Sequence, residues 1–140
     1  MKSRNKMNNN GFSLVELIIV IAIMAVLIGV LAPQYLKYVE RSRQSADLDS
    51  IDTMIHTIEI YNADPMTTTA ATGTITATSG TVTVDATIQA ALTANGMSTL
   101  PKMKSQEYAN WEITVSATEW NITTDTSGTN GTKLSTALGR

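Results

Sequence analysis

The sequence predicts an α+β chain: a long N-terminal α-helix, hydrophobic over its first half, whose second half packs against a small antiparallel β-sheet. Three observations predict it. Residues 12–32 form an apolar run of 21, FSLVELIIVIAIMAVLIGVLA, with one charge, at Glu16. Leu48, Ile51, Ile55 and Ile58 then recur at spacings of 3, 4 and 3, while Asp47, Asp49, Asp52 and Glu59 fall largely on the other, solvent-facing side, the pattern of an amphipathic helix. Beyond Met66 the composition turns to threonine, alanine and glycine, with apolar and polar residues alternating as in strands. The 140 residues have room for about one small domain, and with no cysteine there is no disulfide framework, thiol nucleophile or cysteine-based zinc site. The net charge of -2 and pI near 5.3 argue against gripping nucleic acid by phosphate neutralisation, which needs a concentrated basic face.

Residues 1–11, MKSRNKMNNNG, read as a basic polar leader whose charges are Lys2, Arg4 and Lys6; Met7 offers a second possible start. The apolar run that follows is long enough, at about 1.5 Å per residue, to cover the roughly 30 Å hydrocarbon core of a membrane. The basic leader places the N-terminus in the cytoplasm and Pro33 onward outside, although Lys37, Arg41 and Arg43 weaken that bias. A secretory signal peptide cut after Ala32 is the alternative. Pro33 directly after the cut, Glu16 within the run and the length of the run count against it. Glu16 is the residue a plain anchor does not explain, because a carboxylate at the edge of a membrane helix costs a few kcal/mol and usually faces a partner.

Gly11-Phe12-Ser13-Leu14-Val15-Glu16, preceded by a short basic leader and followed by an unbroken apolar helix, resembles the GF(S/T)LxE prepilin signature of type IV pilins and pseudopilins. The resemblance covers residues 1 to about 63. It implies the type IV pilin fold, cleavage after Gly11 by a prepilin peptidase, and N-methylation of the new N-terminus at Phe12. It implies that Glu16 neutralises the N-terminal ammonium of a neighbouring subunit during assembly. The physics agrees: an ammonium and a carboxylate are each costly in a low-dielectric bundle, and a close pair offsets part of both penalties. Removing Lys2, Arg4 and Lys6 lowers the formal charge from -2 to -5.

Pro33 removes one helical hydrogen bond and crowds the carbonyl of Gly29, itself a poor helix former, so the helix is expected to loosen between them. The resemblance adds that such loosening gives the fibre extensibility. Residues 34–63 continue as the amphipathic half, with Asp64-Pro65 as the stop. Residues 12–62 would form one helix of 51 residues, about 76 Å if straight. Its first half has no core of its own chain to enter, so it must pack against lipid or against copies of itself. Asp52 and His56 share a helix face, yet one histidine without a second His or Cys is weak support for a metal site.

Residues 64–140 read as a threonine-rich sheet domain. A Ser79-Gly80 turn pairs Ala77 with Val82 and Ile75 with Val84; Asp85 caps a short helix to Ala94 that buries Ile88, Ala91 and Leu92 and stops at Asn95-Gly96. A second hairpin over residues 110–124, turning at Ala117-Thr118, pairs Val115 with Trp120 and Ile113 with Ile122, which makes Trp111 and Trp120 core residues. Residues 124–140 are expected to be loop-like, with at most a marginal last strand. No nucleophile elbow, P-loop or dinucleotide turn is present, so no catalytic, cofactor or metal residue is assigned. The expectation is a structural subunit of a type IV pilus, made at the cytoplasmic membrane and displayed outside the cell. Its partners would be identical or related pilins, the prepilin peptidase and methyltransferase, an assembly platform and an ATPase. The alternatives are a pseudopilin of a secretion or DNA-uptake system, and a membrane-tethered binding module.

Overall fold

The first helix begins where the sequence supplies a cap. Ser13 precedes the apolar run, and Glu16 three residues on returns its side chain to the Ser13 amide, the backward half of a capping box. Helix α1 (Leu14–Ala63) then runs for 50 residues. It ends against Asp64-Pro65, as the sequence requires. The computed structural model describes residues 11–116, 120–123 and 130–139; residues 1–10, the bulk of the expected leader, lie outside them. The chain splits into two compact units, Met1–Tyr38 and Val39–Arg140.

In the first unit, α1 is helical without interruption through Gly29 and Pro33. A proline removes only its own amide donor, and apolar residues on both sides propagate the helix across the gap.

In the second unit, the end of α1 lies across a four-stranded antiparallel sheet. The strands are β1 (Gly73–Thr78), β2 (Thr81–Val84), β3 (Trp111–Val115) and β4 (Trp120–Thr123), in the order β2-β1-β3-β4. Both hairpins have the expected register, with Ile75 opposite Val84, Ala77 opposite Val82, Ile113 opposite Ile122 and Val115 opposite Trp120. The Ala117-Thr118 turn and the Trp120 side chain lie outside the described residues. At the first turn Ser79 and Gly80 both have positive φ, 50° and 78°, the two-residue geometry that follows the twist of the strands. Pairing of β1 with β3, which places Ile75 beside Ile113 and Ala77 beside Trp111, joins the two hairpins into one sheet.

Alternation turns Ile75, Ala77, Val82, Trp111, Ile113 and Val115 inward, where they meet Ile51, Met54, Ile55 and Ile58 of α1. Ile88, Ala91 and Leu92 of helix α2 (Ala86–Ala94) complete this core. Each large aliphatic side chain fully buried contributes about 1.5–3 kcal/mol. Trp111 is 1% exposed, and its indole N–H donates to the Tyr108 carbonyl at 3.0 Å. Asn62 clamps the loop after α1, its Oδ1 accepting the Ala71 amide at 2.7 Å and its Nδ2 donating to the Ala71 carbonyl at 3.2 Å.

Three expectations are corrected. Asp85 stands at the N-cap of α2 without a side-chain capping bond; its carboxylate instead accepts the Thr74 amide at 2.7 Å and stitches the start of β1 to the end of β2. The C-terminal stretch holds a third helix, α3 (Asn130–Leu138), in place of a loop or strand. Leu134, fully buried, and Leu138, packed on the core, lie four residues apart on one face of that helix and drive it onto the sheet. Asp47, which the sequence pattern assigned to the solvent face of α1, is 2% exposed.

Asp47 is buried because a strap of chain folds over it. Its carboxylate accepts the amides of Lys104 at 2.9 Å and Ser105 at 2.7 Å. One and two turns earlier on α1, Gln44 donates to Glu107 at 2.6 Å and Glu40 accepts the Gln106 amide at 3.0 Å. The other side of the strap is tied to the first hairpin turn, where the Met103 amide donates to the Gly80 carbonyl and the Gly80 amide to the Ala109 carbonyl, both at 2.9 Å. Lys133 of α3 pairs with Glu107, and that bond, followed by the Glu107 charge, holds its ammonium above the usual lysine range. Burial, then the neighbouring Glu107 charge, pushes the Tyr108 phenol up.

Candidate assembly site on the first helix

The residues that the sequence marks for processing and assembly, Gly11, Phe12, Glu16, Gly29 and Pro33, all fall in the first unit. Gly11 precedes α1 without regular structure, and a Cβ built on it meets nothing within 4 Å. Phe12 is 89% exposed. Both residues are therefore exposed.

Glu16 sits in the first turn of α1 and its Oε2 accepts the Ser13 amide at 2.8 Å. Ser13 carries a second signal within the same residues, since S-x-x-E before an apolar run marks a helix start in its own right. This bond fixes the carboxylate beside the helix N-terminus, where four orphan amides and the helix dipole favour negative charge. An ionised carboxylate has about four acceptor positions, so one bond leaves it able to receive a further donor.

The helix beyond Glu16 presents a surface no soluble monomer leaves bare. Every large apolar side chain from Leu17 to Leu31 is at least half exposed, and Tyr35, Leu36 and Tyr38 continue the exposure. By length and composition the helix can cross a membrane, and none of its most apolar window is covered by the rest of the chain. Gly29 opens a gap in this surface, since a Cβ there meets nothing within 4 Å.

Residues 6–32 match the family model of the prokaryotic N-terminal methylation motif. The chain carries the prepilin signature of type IV pilins and pseudopilins. No solved structure matches the chain. The match spans the leader end, Gly11, Phe12, Glu16 and the apolar half of α1, and the prepilin signature therefore coincides with the exposed helix. The architecture agrees with it: a long, initially apolar helix packed on a small antiparallel sheet is type IV pilin-like. A prepilin signature points to a membrane-anchored precursor that is processed by a prepilin peptidase and assembled with other pilins, a structural subunit rather than an enzyme.

Elsewhere, His56 Nδ1 lies 3.4 Å from Glu59 and not against Asp52, on an exposed face. Among the described residues no group of three or more His, Cys, Asp or Glu side chains is placed to hold a metal ion.

Proposed function

We propose that the protein is the structural subunit of a type IV pilus, cut after Gly11, N-methylated at Phe12 and built into a helical surface filament that serves adhesion or twitching motility. The observation that carries this reading is the conjunction of the prepilin signature with a helix whose apolar half is wholly exposed in the single chain. That half is held by lipid in the precursor and by other subunits in the filament. Cleavage creates an ammonium at Phe12, and Glu16, already fixed at the helix start, is the carboxylate that neutralises the ammonium of a neighbouring subunit. A prepilin peptidase with methyltransferase activity, an assembly platform and an ATPase are the partners this route needs. Gly29 and Pro33 supply the weak point at which the helix extends under load, once neighbouring subunits compete for its surface.

A second reading within the same superfamily is a pseudopilin of a type II secretion or DNA-uptake system. The threonine-rich outward face of the sheet, including Thr76, Thr78, Thr81 and Thr83, favours the pilus, because a polar strand face suits lasting exposure outside the cell.

Mass spectrometry of the N-terminal peptide from material sheared off the native host tests the reading. A chain beginning at N-methylated Phe12 is the expected result. A chain beginning at Pro33 means signal-peptidase cleavage and removes the filament reading.

A further inference from the structure

Two shallow grooves flank α1 at Asp49, and the one lined by both Asp49 and Asp52 is acidic. On one side a shallow cavity of about 340 Å³ lies between α1 and α3, lined by Leu48, Asp49, Asp52, Ala137 and Leu138. On the other a cavity of about 220 Å³ lies between α1 and the 97–101 loop, and Asp49 lines it too, with Met97 and Pro101 in the opposite wall. Asp49 and Asp52 are exposed, and among the described residues neither carboxylate has an ion-pair partner.

The same helix carries an unused cation. Arg43 is paired with Glu40 at 3.8 Å, but Arg41 is exposed and has no carboxylate within 4.0 Å among the described residues. Arg41 and Asp52 stand 11 residues apart, three turns along one stripe of the helix, and Asp49 stands 8 from Arg41. Those separations are about 16 and 12 Å along the axis, beyond the span of one arginine and one aspartate side chain. Within a single chain the two charges cannot meet.

We propose that the groove over Asp49 and Asp52 receives Arg41 from a second copy of this chain, displaced along the helix axis by about 12–16 Å. The proposal rests on the filament reading above. A guanidinium suits the groove: it is planar, weakly hydrated and able to rest on the apolar Leu48, Ala137 and Leu138 while donating to both carboxylates. Copies whose apolar halves share one bilayer run in the same direction, and an axial stagger combined with a turn about the helix axis brings Arg41 of one opposite Asp49 and Asp52 of the next. Donor and acceptor are different patches of the same surface. The contact is therefore head-to-tail, leaves an unused Arg41 at one end and an unused groove at the other, and propagates instead of closing a dimer.

The absence of cysteine makes a direct test clean. Filaments are sheared from cells making the full chain with R41C and D49C together and treated with a bismaleimide cross-linker, which spans the gap that truncating an arginine and an aspartate leaves and a disulfide cannot close. The expected result is a ladder of cross-linked oligomers from the double variant and no ladder from either single variant. In parallel, R41E lowers filament yield by about tenfold through like-charge repulsion, and combining it with D49R and D52R restores the yield. Filaments that form normally with R41E and show no ladder overturn the proposal while leaving the filament reading standing. Loss of yield in R41E that the charge swap does not restore assigns Arg41 to lipid headgroups and overturns it as well. Failure of the unaltered chain to form any filament removes the filament reading itself.

Discussion

The carboxylate of Asp47 and the amide of Ser105 meet at 2.7 Å with the acid 2% exposed, and this bond joins the first helix to the strap that runs back to the hairpin turn. Asp47→Ala leaves the buried amide of Ser105 without its acceptor and removes that of the half-buried bond from Lys104. The expected loss is about 3 kcal/mol, since each orphaned buried polar group costs about 1–3 kcal/mol. Denaturant unfolding of the full chain in detergent, followed by tryptophan fluorescence, measures it; a loss below 1 kcal/mol would show that the strap is held from the hairpin side alone.

Glu16→Ala should leave insertion of the precursor into the membrane intact and abolish filaments. Fractionation reads the first and electron microscopy of sheared material the second. Filaments at normal yield would sink the proposed pairing with the neighbour's ammonium.

Gly29→Ala meets no steric obstacle and favours the helix by about 0.5–1 kcal/mol. Filaments of this variant should form at ordinary yield but stretch less at a given force. A force–extension curve unchanged from the unaltered filament would exclude this turn as the extensible element.

Leu134 is fully buried, and Leu134→Ala is expected to cost about 2–5 kcal/mol and to release α3 from the sheet. Hydrogen exchange should then accelerate over residues 132–138 ahead of β1. Protection that stays uniform would mean that α3 docks through Lys133 and Glu107 rather than through its apolar face.

Alkali should loosen the strap region. Lys133 and Tyr108 both have folded-state pKa values above their ordinary 10.5 and 10.0, so the folded chain holds more protons than the unfolded one at high pH. Stability is therefore complete below pH 10 and falls as pH rises through the raised values. A melting temperature that declines from about pH 10 upward, together with one of the four tyrosines ionising late in an ultraviolet titration, is the expected pattern. Lys133→Gln should remove only a small part of the decline, because the pair is solvent-exposed and screened.

The elements legible in the sequence were those fixed by local rules. The apolar run and Asp64-Pro65 bounded α1 to within two residues, and Ser79-Gly80 set the first register as a two-residue turn in which the glycine takes positive φ without strain. What escaped was decided by distant chain. Asp47 reads as solvated until residues 104 and 105 arrive over it, and Asp85 reads as a cap until Thr74 competes for its carboxylate. Helix α3 was missed because only Leu134, Ala137 and Leu138 carry its pattern, too few to outweigh the threonines and glycine around them. At the assembly site, the motif named Glu16, but its bond to Ser13 depended on reading the same residues a second time as a helix start.

The strand order has a kinetic consequence. β1 lies between β2, which follows it by a two-residue turn, and β3, whose Ile113 is 38 residues beyond Ile75. The first hairpin can close in about 1–10 μs, whereas the sheet waits for a loop of that length to be drawn in. During that interval β1 has an unpaired edge facing whatever chain is nearest. If the first helix is held in a bilayer among its own copies, as proposed, the nearest chain is a sibling in the same half-made state, and strand exchange between them is the error its folding has to outrun.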